Sequence, residues 1–186
     1  MKGFSQPPSV IALENAPQTA LDFAGLVDRH QAMVFSVCWH FLRDRALADD
    51  VAQDVFFSLH RNLAAIESPE HATHWLRKVA VQRSIDESRR RNRRPQVSLA
   101  DVAEPAAAAP ARDPLLADTL HRLIASLPES PRMVMILRYQ EDLDPADIAA
   151  TLDMPVATVK SHLQRSLALL REKLARRGVG VEKWTG

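Results

Sequence analysis

The chain has 186 residues, of which 46% are hydrophobic, and a formal net charge of +1. That is enough for one large or two small packed domains, and it excludes disorder throughout. Five glycines and few alternating β-branched runs, set against abundant Ala, Leu, Arg and Asp, predict an all-α fold. The single cysteine, Cys38, leaves no internal disulfide, and the N-terminal stretch lacks the apolar run of a signal peptide. No segment approaches the ~20 apolar residues of a membrane span, so a cytoplasmic protein is expected.

Charge is distributed unevenly. Residues 77–94 hold eight cations (Arg77, Lys78, Arg83, Arg89, Arg90, Arg91, Arg93, Arg94) against Asp86 and Glu87. Residues 160–177 hold six (Lys160, Arg165, Arg171, Lys173, Arg176, Arg177) against Glu172. Two basic patches on an otherwise acidic chain imply two places that meet phosphate.

In chain order, residues 1–18 contain Pro7, Pro8 and Pro17 without periodicity and are expected to be a tail. Thr19 and Asp22 resemble a helix start, and Leu26, Met33, Val34, Val37 and Phe41 then share one face towards Arg43. A second helix is expected after Asp44, with Leu47, Val51, Val55 and Leu59 as its stripe, widened by Phe56 and Leu63. Asp49, Asp50, Gln53 and Asp54 project from the other side. That acidic face reads as a solvated surface or as a dock for a basic partner. A metal site is discounted because the carboxylates lie opposite the apolar stripe.

Glu67 to His71 interrupts the pattern, and a third helix is expected from about Thr73, packed through Trp75, Leu76, Val79 and Ala80. It ends in the run RRRNRR. Such a run is commonly a solvated helix end, and Trp75 reads first as a core residue. An aromatic group beside cations is nevertheless what binds single-stranded nucleic acid. From 95 to 114 the composition turns to Ala and Pro, predicting a flexible linker between two small helical domains.

The second domain is predicted to have four helices. Leu116, Leu120, Leu123, Ile124 and Leu127 mark the first. Ser130 is read as the cap of the next, with Pro131 in its first turn and Met133, Val134, Leu137 and Tyr139 packing. Asp144 then caps a short helix starting at Pro145, with Ile148, Ala149 and Leu152 on one face. Asp153-Met154-Pro155 breaks it. Beyond the break, Val159, Leu163, Leu167, Leu170 and Leu174 stripe a longer helix whose other face carries Thr158, Lys160, Ser161, His162, Gln164 and Arg165. Short helix, tight turn and longer basic helix form a helix-turn-helix of the kind that enters a DNA major groove. A plain helical hairpin with a solvated face is the alternative for this pattern alone. Residues 178–186 are read as a frayed tail.

Three stretches in this order, ADDVAQDVFFSLHRNL, WLRKVAVQRSIDESRRR and LPESPRMVMILRYQEDLDPADIAATLDMPVATVKSHLQRSLALLREKL, split by an Ala/Pro linker, resemble the extracytoplasmic-function (ECF) class of bacterial RNA polymerase sigma factors. The resemblance covers about 21–94 and 115–174. It implies a region 2-like domain at 19–94, a linker at 95–114 that runs through the polymerase towards the RNA exit path, and a region 4-like domain at 115–177. It implies that Asp49, Asp50, Gln53, Asp54 and Phe57 dock on a polymerase coiled coil. His74, Trp75, Arg77, Lys78, Arg83, Arg89 and Arg90 would capture and melt the minus-ten element. Thr158, Lys160, Ser161, His162, Gln164 and Arg165 would read the minus-thirty-five element as duplex, since Arg or Lys to guanine and Gln to adenine are the pairings the major groove permits.

An anti-sigma protein is an expected partner beside core polymerase and promoter DNA, and no enzyme activity, cofactor or metal is expected. The chain departs from the family at Val81-Gln82, where Arg-Asn is common, and at Arg83, Glu87 and Ser88, where apolar residues are. Ala157 stands where Gly is frequent, and His162 where Arg is. A stand-alone helix-turn-helix regulator with a sensing N-terminal domain is the alternative. A metal hydrolase using His71 and His74, or the Cys38-Trp39-His40 stretch, lacks any accompanying ligand motif.

Overall fold

The computed structural model describes residues 22–93 and 114–177, the side chains of 114–118 aside. The expected tails at 1–18 and 178–186 and nearly all of the expected linker lie outside the described residues. Every regular element among the described residues is helical.

Helix α1 (Phe23–Leu42) starts where the Asp22 carboxylate accepts from the backbone N–H groups of Ala24 and Gly25, at 3.3 and 3.0 Å. It stops at Arg43, which takes a left-handed conformation (φ 58) and donates its N–H to the Trp39 carbonyl. Helix α2 (Arg45–Asn62) follows at once, capped by Asp44 through the Leu47 N–H at 3.1 Å. A single 3-10 turn at Leu63–Ala65 leads to α3 (Pro69–Arg93). Here the expected start near Thr73 is four residues late. Pro69 suits a first helical position, where no N–H is needed, and the Ser68 hydroxyl accepts from the His71 N–H at 3.1 Å. The proline begins the helix, so the loop shrinks to 66–68.

The apolar stripe of α1 wedges between α2 and α3. Val34, Val37, Phe41, Val55, Leu59, Leu76, Ala80 and Val81 are all essentially inaccessible to solvent. Val81, one of the departures from the family pattern, is therefore a packing residue. Trp75 and Val79 are half-buried and lean on this core.

The second half contains α4 (Pro114–Ala125), α5 (Glu129–Tyr139), α6 (Pro145–Leu152) and α7 (Val156–Ala175). Helix α5 starts one residue before the expected cap at Ser130. Pro128, extended at φ −56 and ψ 158, precedes it and accepts from the Arg132 N–H, leaving Ser130 exposed inside the helix. Met133, Val134 and Leu137 are buried as expected, but Tyr139 is 53% exposed because it sits at the helix end beyond the packed face.

In the second half, α5 packs against α7 and α6, and α4 covers the C-terminal part of α7 through Leu123, Leu127, Leu170 and Leu174. The two halves also pack on each other, α1 against α5 and α3 against α6. Their apolar residues merge into one continuous core, from Val34 and Phe41 through Met133 and Leu137 to Ile148 and Val159.

Candidate nucleic-acid and protein interfaces

Helices α6 and α7 form the helix-turn-helix. The Asp144 carboxylate accepts from the N–H groups of Ala146 and Asp147 at 2.7 and 2.9 Å, and these bonds hold it below the usual carboxylate range. Asp153 ends α6 in the left-handed region (φ 51, ψ 47), a conformation that Asp tolerates better than most residues, and its N–H returns to the Ala149 carbonyl. Pro155 then opens α7, and a buried Val159 seats its first turn. On the opposite face Lys160, Gln164 and Arg165 are exposed, while Thr158, Ser161 and His162 are half-buried at its edges. None of the three exposed side chains is tied to another described residue. Val156, 39% exposed, extends this face with an apolar group at the helix start.

Helix α2 presents Asp49, Asp50, Gln53, Asp54 and Phe57 together. At about 100° per residue they span an arc of roughly 140°, with Gln53 and Phe57 near its centre. All five are exposed, and Phe57, at 57%, is the most exposed large apolar side chain among the described residues. An uncovered aromatic ringed by carboxylates is a surface suited to a basic partner with an apolar contact point.

The seven candidate minus-ten residues are not brought to one place. By the same spacing His74, Trp75, Lys78 and Arg89 share one side of α3, while Arg83 and Arg90 lie about 100° further round. Arg83 donates to the Ser58 hydroxyl of α2 at 3.1 Å, and Arg90 pairs with Glu87 at 2.6 Å. Arg77 turns to the packed side: its Nε is buried, and its charge acts on His30 and Glu141. Lys78 and Arg89 reach the second half, on Asp153 at 2.9 Å and on Glu129 at 3.0 Å.

Further contacts across the junction were invisible in the sequence. The Ser36 hydroxyl donates to the Glu141 carboxylate at 2.7 Å, and burial pushes that carboxyl upward. The Arg132 guanidinium lies over the Phe41 ring at 5.2 Å and donates to the Phe41 carbonyl at 3.4 Å. The His40 and His121 rings stand 5.8 Å apart, and burial with the charges of His121 and Arg43 lowers the His40 pKa to about 4.

The other histidines and the cysteine form no catalytic constellation. Cys38 is buried, and burial pushes its thiol up to about 11, so it is not a ready nucleophile. His71 Nδ1 accepts from the Glu67 N–H at 3.3 Å, closing the turn before α3. Among the described residues no group of three or more His, Cys, Asp or Glu side chains could hold a metal ion. Among them, too, no helix is long and apolar enough to cross a membrane.

Two helical halves, the second ending in a helix-turn-helix with an open cationic face, have the architecture of a DNA-binding protein. Residues 26–94 match the family described as Sigma-70 region 2, and residues 117–170 match Sigma-70, region 4. The RNA polymerase sigma-H factor of Pseudomonas aeruginosa is 31% identical over 156 residues, covering 76% of this chain and 80% of that protein. The ECF RNA polymerase sigma factor SigW of Bacillus subtilis is 27% identical over 169 residues, covering 82% and 88%. Among solved structures, the sigma factor RpoE of Bartonella quintana, in complex with the anti-sigma factor NepR, is similar in fold. It has a TM-score of 0.67 and 21% identity over 83% of this chain and 97% of that one. A second, CnrH in complex with the cytosolic domain of CnrY, has a TM-score of 0.62 and 22% identity over 83% and 88%.

The chain belongs to the extracytoplasmic-function class of RNA polymerase sigma factors. It is a promoter-recognising initiation factor that works with core RNA polymerase, not an enzyme. A stand-alone regulator is not favoured, because the match extends through the front half as well as the helix-turn-helix.

Proposed function

We propose a division of labour among three helices. The acidic face of α2, centred on Phe57, docks on core polymerase. The side of α3 that carries His74, Trp75, Lys78 and Arg89 holds the melted minus-ten strand, with His74 and Trp75 beside the bases and Lys78 and Arg89 on phosphates. Helix α7 lies in the major groove at the minus-thirty-five element, where Lys160, Gln164 and Arg165 meet base edges and Thr158, Ser161 and His162 flank them. The observation that carries this reading is the side-chain state of α7: a buried apolar stripe locks the helix, and three polar side chains capable of base contacts stand free on the other face.

Arg83 and Arg90 have a narrower role here than in the sequence-based expectation, contacting phosphate from the flank of α3. Arg77 stabilises the junction. The domain boundaries follow at 19–94 and 115–177, with 95–114 as the tether, which the two family matches support. The protein acts in the cytoplasm, where polymerase and promoter DNA are. A proteinaceous inhibitor of the anti-sigma type is the expected regulator, supported by the solved structure of RpoE, similar in fold, which was determined with the anti-sigma factor NepR.

The test is reconstitution. Purified full-length protein mixed with core polymerase should co-elute and start transcription at discrete sites on a genomic fragment library. Mapped start sites should share two conserved upstream elements. A complex that never forms would end this reading.

A further inference from the structure

Two of the cations assigned to the minus-ten strand are already occupied. Lys78 Nζ sits 2.9 Å from the Asp153 carboxylate, and Arg89 Nε sits 3.0 Å from that of Glu129. Both carboxylates come from the second half: Asp153 from the turn of the helix-turn-helix, Glu129 from the first residue of α5. Each is an oxyanion placed on a group expected to hold a phosphate oxyanion.

The same contact fixes a distance. Asp153 precedes Arg165 by twelve positions, so at ~1.5 Å per helical residue the reading face of α7 lies within roughly 20 Å of the Lys78 ammonium. The two promoter elements are named about 25 base pairs apart, or roughly 85 Å along straight duplex at ~3.4 Å per step. One closed molecule cannot cover both. The chain between α3 and α4 spans residues 94–113, which fully extended reach roughly 70 Å, so an open form is within reach of the tether and the two halves together.

We propose that Glu129 and Asp153 are an internal latch, holding the second half over the minus-ten surface in place of DNA phosphate, and that promoter engagement on polymerase exchanges these carboxylates for the DNA backbone. The proposal rests on the assignment of α3 to the minus-ten strand. It goes beyond that assignment by giving the surface a built-in competitor. The pairs suit an openable latch: the Lys78 and Arg89 side chains are 40% and 58% exposed, and exposed ion pairs are individually weak and salt-sensitive. The apolar part of the junction, with Phe41 beneath Arg132, keeps the resting chain closed. The helix-turn-helix face remains uncovered, since Lys160, Gln164 and Arg165 are exposed in the closed form. Duplex reading is therefore available before strand capture.

The test uses the full chain with Glu129→Gln and Asp153→Asn together. Asn tolerates the left-handed conformation at 153, and neither change adds a positive charge that would attract DNA by itself. Asp28→Asn, an exposed carboxylate on α1, is the charge control. Single-molecule energy transfer between dyes on Gln31→Cys and Ala175→Cys reports the separation of the halves, and a single-stranded minus-ten oligonucleotide reports access. Relative to the control, the double variant should raise the open fraction and tighten oligonucleotide binding about three- to tenfold. Added salt should narrow the difference in open fraction.

Wild-type protein on polymerase and promoter should shift wholly to the long distance. An unchanged open fraction, or an open chain with unchanged oligonucleotide affinity, overturns the latch, as does a short distance in the promoter complex. Failure of the α3 assignment looks different: Lys78→Ala with Arg89→Ala would open the chain yet leave minus-ten binding on the polymerase undiminished.

Discussion

Helices α3 and α7 are the two cationic helices, and they are held in opposite states. On α7 the side chains proposed to read duplex DNA stand clear of the protein, because a continuous stripe from Val159 to Leu174 takes all the packing on the other side. On α3 the cations are shared out: Arg83 to α2, Arg90 to its own helix, Arg77 to the junction, Lys78 and Arg89 to carboxylates of the second half. Intact duplex offers its edges without deformation, so a preformed open face suffices to read it. A melted strand appears only after base pairs are broken, and cations left uncovered until then would bind any phosphate. The contrast shows that charge composition alone does not reveal when a surface is available.

The shared core is the largest lever on this contrast. Leu137 on α5 is fully buried in the cluster that joins both halves, so Leu137→Ala should cost about 2 to 5 kcal/mol by transfer and cavity formation. Chemical denaturation should show the loss, with helicity and tryptophan fluorescence changing in one transition. Two separated transitions would mean that the halves are coupled only loosely. Next in size, Asp50→Arg with Asp54→Arg sets like charge against a basic partner and should weaken core polymerase binding by several kcal/mol, while leaving binding to minus-thirty-five duplex within twofold. Competition between labelled wild type and variant for core enzyme measures it.

Arg165→Ala should do the converse. We expect a loss of about 1 to 3 kcal/mol in minus-thirty-five recognition, read by electrophoretic or anisotropy titration, with unchanged polymerase affinity. Equal losses in both assays would remove Arg165 from the reading face. The smallest effect concerns pH. The His40 pKa is lowered to about 4 by burial and by His121 and Arg43, so the unfolded chain binds the proton more readily than the folded one. The stability it confers is complete above the unfolded value of about 6.5 and is lost as pH falls towards 4. Burial raises Glu141, which works in the opposite sense. Wild type minus His40→Gln isolates the histidine, and the difference in unfolding free energy between pH 7 and pH 4.5 should be on the order of 1 to 2 kcal/mol once partial exposure is allowed for.

Much of the fold was legible because its signals are local. The cap at Asp144, the helix start after Asp44, the break at Asp153-Met154-Pro155 and the 3.6-residue stripes each depend on a few neighbouring residues, and each stands in the structure where the sequence placed it, whereas the caps that Asp22 and Asp44 themselves supply emerged only with the structure. The helix starts at Pro69 and Glu129 were misjudged for a local reason too: a proline that ends one helix pattern also suits the first turn of the next, and only hydrogen bonding tells which. The acidic arc on α2 and the polar face of α7 were equally readable, because an exposed face is the complement of a buried stripe on the same helix.

The junction was not readable. Ser36 with Glu141, Lys78 with Asp153, and His40 with His121 pair residues 75 or more positions apart, and no periodicity in one helix encodes the face of another. What the order of residues determined by itself is which helices form, which side of each is apolar and where positive charge accumulates, since these depend on backbone geometry repeating every few residues. What tertiary packing alone decided is which of those charges stay free, because a cation loses its availability only when a carboxylate from a distant turn is folded onto it.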